Sequence, residues 1–277
     1  MGIGEAGEKL RRCTVQVRNG RSSSGSGIIW DSSGAIVTNA HVVRSGDITI
    51  ELWDGRAAPA RLDRRDDWRD LAILRVETGG LEPATFRDSS RVRAGELVIA
   101  VGNPMGFTGA LSTGIIHGVG PVPGMGGQPF IQTTVRLAPG NSGGPLADAG
   151  GGVIGINAAI VSGGLGLAVP VNAVRRLLTA GPPAELGVAV RPVRIPGQNG
   201  GIALLVLNVA AGSAADYVSL RQGDLLVAAE GRSFESAEDL REALDRSTGK
   251  SVTIQFLRGG QTKKREVTIR LTQGMAA

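Results

Sequence analysis

Aromatic side chains are scarce in this chain. Five Phe, three Trp and one Tyr are all that 277 residues contain. Lysine is scarcer still: Lys9, Lys250, Lys263 and Lys264 are the four, so 26 of the 30 basic residues are arginine. Cysteine occurs once and histidine twice. A lone Cys13 excludes an internal disulfide framework and any multi-cysteine zinc site. His41 and His117 lie far apart with no cysteine nearby, so no metal site and no cofactor are expected. No apolar run is long enough to cross a bilayer; the longest, around Ile202–Val206, falls far short. The segment Met1-Gly2-Ile3-Gly4-Glu5 has no basic region followed by an apolar stretch, so no signal peptide is visible. The net charge of +5 is mild. The densest charged cluster, Arg61 to Asp70, alternates in sign and has few aromatics to stack bases. No nucleic-acid partner is expected.

Glycine is abundant, at 43 residues, without the three-residue period of collagen. A hydrophobic content of 42% is too high for a disordered chain. The length suits one large domain or two small ones, with a core that needs no staple. Asp47–Leu52 alternates cleanly, with Ile48, Ile50 and Leu52 on one face, and Asp54-Gly55 signals a hairpin turn. Similar runs recur at Gly27–Trp30, Ala35–Thr38, Leu71–Val76, Leu97–Val101, Ser112–Val119, Phe130–Thr134, Gly152–Ile160 and Leu167–Val169. Short strands between Gly-rich turns predict an antiparallel all-β barrel or sandwich. Val171–Leu178 then has helical spacing, and Thr179-Ala180-Gly181-Pro182-Pro183 cannot continue a helix. This places a boundary between a domain at 1–181 and a second at 182–277. The second is mixed β with helices. A helix from Ser236 opens with Asp239 three residues on, and strands alternate at Val252–Phe256 and Val267–Leu271.

The strongest chemical signal is Pro139-Gly140-Asn141-Ser142-Gly143-Gly144-Pro145-Leu146. Glycine and proline there hold a serine in a turn whose backbone N–H groups are freed. Acyl transfer needs an exposed nucleophile beside donors for a developing oxyanion. Serine also needs a base. His41 follows the Ala35–Thr38 strand, and Asp70 opens Leu71–Val76, so the order is His, Asp, Ser, as in chymotrypsin-like proteases. Asp63, Asp66 and Asp67 compete with Asp70 but sit among arginines and read as solvated. His117 reads as structural or surface, Cys13 as a small buried strand residue. Trp30, Trp53 and Trp68 read as packing groups rather than cofactor contacts.

The segments Thr38–Val43, Asp70–Val76 and Gly140–Leu146 resemble those of the HtrA/Deg serine proteases. Gly102–Gly106, Gly155–Ala158 and Gly166–Pro170 are similar to theirs as well. The resemblance covers residues 11–272. It implies a mainly β chain: a chymotrypsin-like double β-barrel protease domain followed by a PDZ domain. Carried over, His41 is the base, Asp70 orients it and Ser142 is the nucleophile. The N–H groups of Gly140 and Ser142 form the oxyanion hole. Arg136 and Leu137 fall at the S1 pocket. The absence of an Asp there argues against cleavage after Lys or Arg. An inward Arg136 would favour acidic side chains, whereas an outward one, expected because a buried unpaired guanidinium is costly, leaves an apolar pocket for Val, Ala, Leu or Ile. Thr134 and Ala138 stand where the family commonly has Asp and Asn. Glu185-Leu186-Gly187-Val188 resembles the PDZ loop that receives a peptide carboxylate, with β-augmentation along the next strand.

The family implies ATP-independent degradation of unfolded or damaged proteins, in an extracytoplasmic compartment such as the periplasm or cell envelope. It also implies a homotrimer, although residues 1–29 hold none of the aromatics that join family trimers. The long regulatory loop of some relatives has no counterpart in the short Arg18–Ser26 connection. A second reading is a peptide-binding chaperone or scaffold with a latent protease domain.

Overall fold

The structure, a computed structural model, describes every residue except 1, 21–22, 45, 104–108, 123–124, 126–127, 162, 180–185, 196–200, 237, 248–250, 261–262 and 272–277. Its contacts divide the chain into two compact units, Met1–Leu178 and Thr179–Ala277.

The first unit opens with helix α1 (Ile3–Cys13) and then builds two closed six-stranded barrels. The first barrel comprises β1 (Thr14–Asn19), β2 (Ser23–Ile29), β3 (Ala35–Thr38), β4 (Ile48–Glu51), β5 (Ala57–Asp66) and β6 (Leu71–Val76), in spatial order β1-β2-β3-β6-β5-β4. The second comprises β7 (Leu97–Gly102), β8 (Ala110–Pro121), β9 (Pro129–Thr133), β10 (Pro145–Asp148), β11 (Val153–Ile160) and β12 (Gly166–Pro170), in order β10-β11-β12-β9-β8-β7. Helix α2 (Val171–Thr179) follows.

Strand alternation gives this unit three cores rather than two. Ile29, Ile36, Ala72 and Leu74 fill the first barrel. Val98, Ala100, Ile131 and Leu146 fill the second. The opposite faces of the same strands supply a third cluster. There Ile28, Val37, Leu71 and Ile73 meet Ile99, Val101, Ala147 and Ile156. Ala6, Leu10 and Cys13 of α1 and Ala173 and Val174 of α2 join them. Burial on both faces explains why β3 and β6 read as nearly continuous apolar runs.

Several local expectations change. Cys13 is buried, but at the end of α1 rather than in a strand. Its thiol is pushed up to about 12 by burial. Asp66 is buried and bonds Arg69 at 2.6 Å, so it is not solvated. The charged stretch Ala57–Asp66 is a strand, β5. The β1–β2 pairing runs from Thr14 opposite Ile28 to Asn19 opposite Ser23, shorter in its connection than Arg18–Ser26. His117 is exposed on β8, as the sequence suggested. Trp30 packs on Phe86 with centroids 4.1 Å apart.

The second unit is a sheet in the order β13 (Val188–Arg194), β14 (Ile202–Val209), β15 (Leu225–Ala229), β17 (Ser251–Leu257) and β18 (Arg265–Arg270), with β16 (Arg232–Ser233) paired to β15. Helices α3 (Ala214–Tyr217) and α4 (Glu238–Arg246) complete it. Leu240, Ala243 and Leu244 of α4 face a core of Leu204, Leu226, Ile254 and Ile269. Ahead of α4, the Asp239 carboxylate accepts the Ser236 N–H at 2.9 Å, the capping contact read from the sequence.

Candidate active site

Strands β3 and β6 pair antiparallel, with Thr38 opposite Ala72. This brings the end of one strand beside the start of the other. His41 lies in a short 3₁₀ turn, Ala40–Val42, three residues past Thr38. Asp70 immediately precedes β6 and adopts φ +54°, a left-handed conformation that Asp tolerates better than most residues. One Asp70 carboxylate oxygen accepts the His41 backbone N–H at 2.9 Å. The other lies 2.7 Å from His41 Nδ1. The imidazole is thereby held by its Nδ1 edge, and its 49% exposed side chain leaves the other edge accessible. Asn39, fully buried, donates Nδ2–H to the Asp70 carbonyl at 2.8 Å, which supports the unusual backbone.

Ser142 stands in the loop between β9 and β10. The loop begins with a β-turn in which the Asn141 N–H bonds the Ala138 carbonyl at 2.9 Å. Pro139 and Gly140 occupy its central positions, and Gly140 has φ +103°. That is type II turn chemistry: proline presets the first position and glycine accepts the positive φ of the second. Gly143 and Gly144 close the loop against β2 and β7. A Cβ at Gly143 would meet the Ser26 carbonyl oxygen at 2.0 Å, and one at Gly144 the Val101 carbonyl oxygen at 2.3 Å. These two glycines are there for close approach.

Among the described residues, neither the Gly140 nor the Ser142 backbone N–H has an acceptor. Two free amides flanking Asn141 suit an incoming anion. The Ser142 hydroxyl donates to the Ala158 carbonyl at 3.1 Å. No hydrogen bond joins it to His41 among the described residues. The His41 imidazole and the Asp70 carboxylate are thus coupled, while the Ser142 hydroxyl rests on β11.

Arg136 is exposed and Leu137 half-buried. Leu137 packs on the second-barrel core, and a Cβ at Gly166 would come within 3.2 Å of its Cδ1. The apolar side chain faces inward and the guanidinium outward. Of the two positions where the family commonly has Asp and Asn, Thr134 accepts the Ile115 N–H through Oγ1 at 3.0 Å, and Ala138 supplies the turn carbonyl.

In the second unit Glu185 lies outside the described residues. Leu186 is buried in the core and its carbonyl accepts the Ala215 N–H at 2.9 Å. Gly187 has φ +76°, and a Cβ there would meet Ser213 Cβ at 2.1 Å. Val188 opens β13, which pairs only with β14 among the described strands and so presents a free edge. Neither the Leu186 nor the Gly187 N–H has an acceptor among the described residues.

Sequence reasoning assigned no role to Asn39 or Ser26. A buried asparagine in an otherwise apolar strand end was a signal for the first; a serine between two glycines, Gly25 and Gly27, was one for the second.

Comparison with known proteins agrees with this architecture. Residues 25–156 match the family described as trypsin-like peptidase domain, and residues 184–269 match the PDZ domain. A putative serine protease HhoA from Synechocystis sp. is 35% identical over 271 residues, covering 86% of this chain and 68% of that protein. A probable periplasmic serine endoprotease DegP-like from Chlamydia trachomatis is 35% identical over 268 residues, covering 88% of this chain and 53% of that protein. The chain therefore spans from about half to two thirds of the length of these curated relatives. The solved structure of an HtrA-type protease AlgW with decapeptide superposes with a TM-score of 0.78 at 26% identity, covering 100% of both chains. With the double barrel, the PDZ domain and these relatives together, the chain belongs to the HtrA/Deg family of trypsin-like serine proteases.

Proposed function

We propose that this chain is an ATP-independent serine endopeptidase acting on unfolded or damaged proteins. His41 serves as general base, Asp70 as its orienting carboxylate and Ser142 as nucleophile. The observation that carries the reading is the doubly held Asp70 carboxylate on His41, together with a Ser142 loop that offers two unbonded amides. A substrate carbonyl seated at those amides draws the Ser142 hydroxyl away from the Ala158 carbonyl. His41 Nε2 takes the hydroxyl proton as Oγ attacks, and the oxyanion is received by the Gly140 and Ser142 N–H groups. The imidazolium, stabilised by Asp70, then protonates the leaving amine. Water hydrolyses the acyl-enzyme by the same route in reverse. Leu137 with Gly166 supports cleavage after Val, Ala, Leu or Ile, while the exposed Arg136 stays outside the pocket.

The protease domain is assigned to 1–181 and the PDZ domain to 182–277, because the sequence Gly181-Pro182-Pro183 cannot continue a helix. In the latter, the amides around Leu186 and Gly187 would receive a peptide carboxylate, and the free edge of β13 would pair with the peptide backbone. A related protease was solved with a decapeptide. A homotrimer in an extracytoplasmic compartment completes the proposal, in line with relatives named periplasmic.

A fluorophosphonate probe tests the core of this reading. Labelling of the wild-type chain but not of Ser142→Ala, with β-casein degraded only by the former, is the expected result. A wild-type chain left unlabelled with and without a C-terminal peptide, and casein intact, would sink it. Labelling that appears only with peptide would assign the PDZ domain a gating role.

A further inference from the structure

Ser26 lies on the first barrel yet touches the second-barrel loop at two places. It is fully buried. Its backbone N–H donates to the Ser142 carbonyl at 2.8 Å. Its hydroxyl donates to the Gly140 carbonyl at 2.7 Å and accepts the Asn103 N–H at 2.9 Å. The direction of these bonds is forced. An amide N–H can only donate, so Oγ accepts from Asn103; a carbonyl can only accept, so the single hydroxyl proton goes to Gly140. The Ser26 carbonyl is fixed in turn by Thr38 Oγ1–H at 2.6 Å, one strand away in the same barrel.

These contacts define the orientation of one peptide plane. The Gly140–Asn141 peptide is held at both ends, its carbonyl by Ser26 and its N–H by the Ala138 carbonyl at 2.9 Å. With that plane pinned, Gly140 Cα is fixed, and φ and ψ of Gly140 together set where the Gly140 N–H, which belongs to the preceding peptide, points. A type II turn and a type I turn differ by a flip of the central peptide, here Pro139–Gly140. The two forms present an N–H or a carbonyl to the same space. Glycine has little intrinsic preference between positive and negative φ. Ser26 does not touch the flipping peptide; it fixes the peptide on the far side of Gly140, and with it the Gly140 Cα about which the N–H turns.

We propose that Ser26 is a positioning residue for the oxyanion hole: its hydroxyl, bonded to Asn103 N–H and to Gly140 C=O, and its N–H, bonded to Ser142 C=O, anchor both ends of the segment that carries the Gly140 and Ser142 amides and so fix where those amides stand relative to the reacting carbonyl. The proposal rests on the assignment of Ser142 and Gly140 made above. It adds that the hole is assembled from both barrels. Asn103 extends the chain of bonds, since its Oδ1 accepts the Gly109 N–H at 2.8 Å, and Gly109 lies under Arg11 of α1.

The test is Ser26→Ala in the full chain, with fluorophosphonate labelling of the wild type run alongside. Thermal unfolding first establishes that the variant folds. The expected result is a kcat about 10- to 100-fold lower, somewhat less than for outright loss of an oxyanion donor, with KM unchanged. A peptide boronate ending in valine, whose tetrahedral oxygen uses the hole, should lose affinity by the same factor. Binding of a product peptide, which uses only the substrate cleft, should stay constant. The pH dependence of kcat/KM should keep its shape, because His41 is not touched. A folded variant with kcat within twofold of wild type overturns the proposal, as does a loss carried by KM or shared equally by the product peptide. Should the alanine variant fail to fold, Ser26→Cys, close in volume and a weak donor, is read by the same measurements and the same criteria. A wild-type chain that never labels defeats the protease reading itself; a labelled wild type with a fully active Ser26→Ala defeats only the role of Ser26.

Discussion

The proposed base, His41, and the proposed nucleophile, Ser142, come from different barrels, and the two are held by different means. The base side is built from polar bonds on the adjoining ends of β3 and β6. Asp70 accepts from the His41 N–H, lies against Nδ1 and is itself steadied by Asn39. The nucleophile side is built from the absence of side chains. Gly143 and Gly144 let the loop lie on neighbouring backbone, and Ser142 Oγ rests on the Ala158 carbonyl. On the proposed reading the base is complete at rest, while the serine and its turn have still to engage. Control by a peptide or partner would then act on the second-barrel loop.

The sharpest way to break this comparison is to remove one group from each side. Ser142→Ala should lower peptide hydrolysis by about 10⁶-fold and Asp70→Asn by about 10⁴-fold, with both variants folded by circular dichroism. A loss under tenfold for Asp70→Asn would mean that the base side is not what holds the imidazole.

Next comes the packing of the nucleophile side. Gly143→Ala, with φ +88° and the Ser26 carbonyl oxygen at 2.0 Å, should abolish hydrolysis and lower the melting temperature markedly. Gly163→Ala, with nearly the same φ of +89° but open space around it, is the matched control. It should cost only about 1–2 kcal/mol of stability and leave hydrolysis intact. Equal effects at the two positions would show that conformation, not close approach, governs the loop.

On the base side, Asn39→Ala removes the donor to the Asp70 carbonyl. Urea unfolding should register a loss of about 1–3 kcal/mol. An unchanged midpoint would separate Asn39 from the support of Asp70.

The smallest effect is expected away from the site. Asn172 Nδ2–H, with Ser90, holds the Asp88 carboxyl down at about 2, from an ordinary 3.8. A lowered folded-state value means that this contribution is present above pH 3.8 and is lost as pH falls toward 2. Asp88→Asn should flatten the fall of melting temperature over that acid window, with little change at pH 7. An identical acid slope in wild type and variant would contradict the assignment.

Much of this was legible from residues alone, for identifiable reasons. β3 and β6 announce themselves because both of their faces are buried. The Gly140–Leu146 turn is visible because its conformation demands glycine and proline. Helix α1 was not, since Gly4 and Gly7 weaken helix propensity. Gly7 is needed because a Cβ there would meet Leu111 Cδ1 at 2.4 Å. That helix is made by its docking, and its one clue was the spacing of Ala6, Leu10 and Cys13. β5 was hidden because its alternation is carried by arginine and aspartate, with Asp66 buried only through its pairing with Arg69. The roles of Ser26 and Asn39 depend on contacts across strands and barrels, which chain order does not encode.

The indole of Trp53 lies close to two cations, with the guanidinium carbons of Arg11 and Arg12 4.9 and 5.0 Å from its ring centre. Both arginines belong to α1, whereas Trp53 sits at the tip of the β4–β5 hairpin. Indole emission is sensitive to nearby charge, and the chain has only three tryptophans. With only three tryptophans to emit, undocking of the amino-terminal helix would be legible in the intrinsic fluorescence, as Trp53 loses its two cations and Trp30 the cluster that α1 helps to close, without any label being attached.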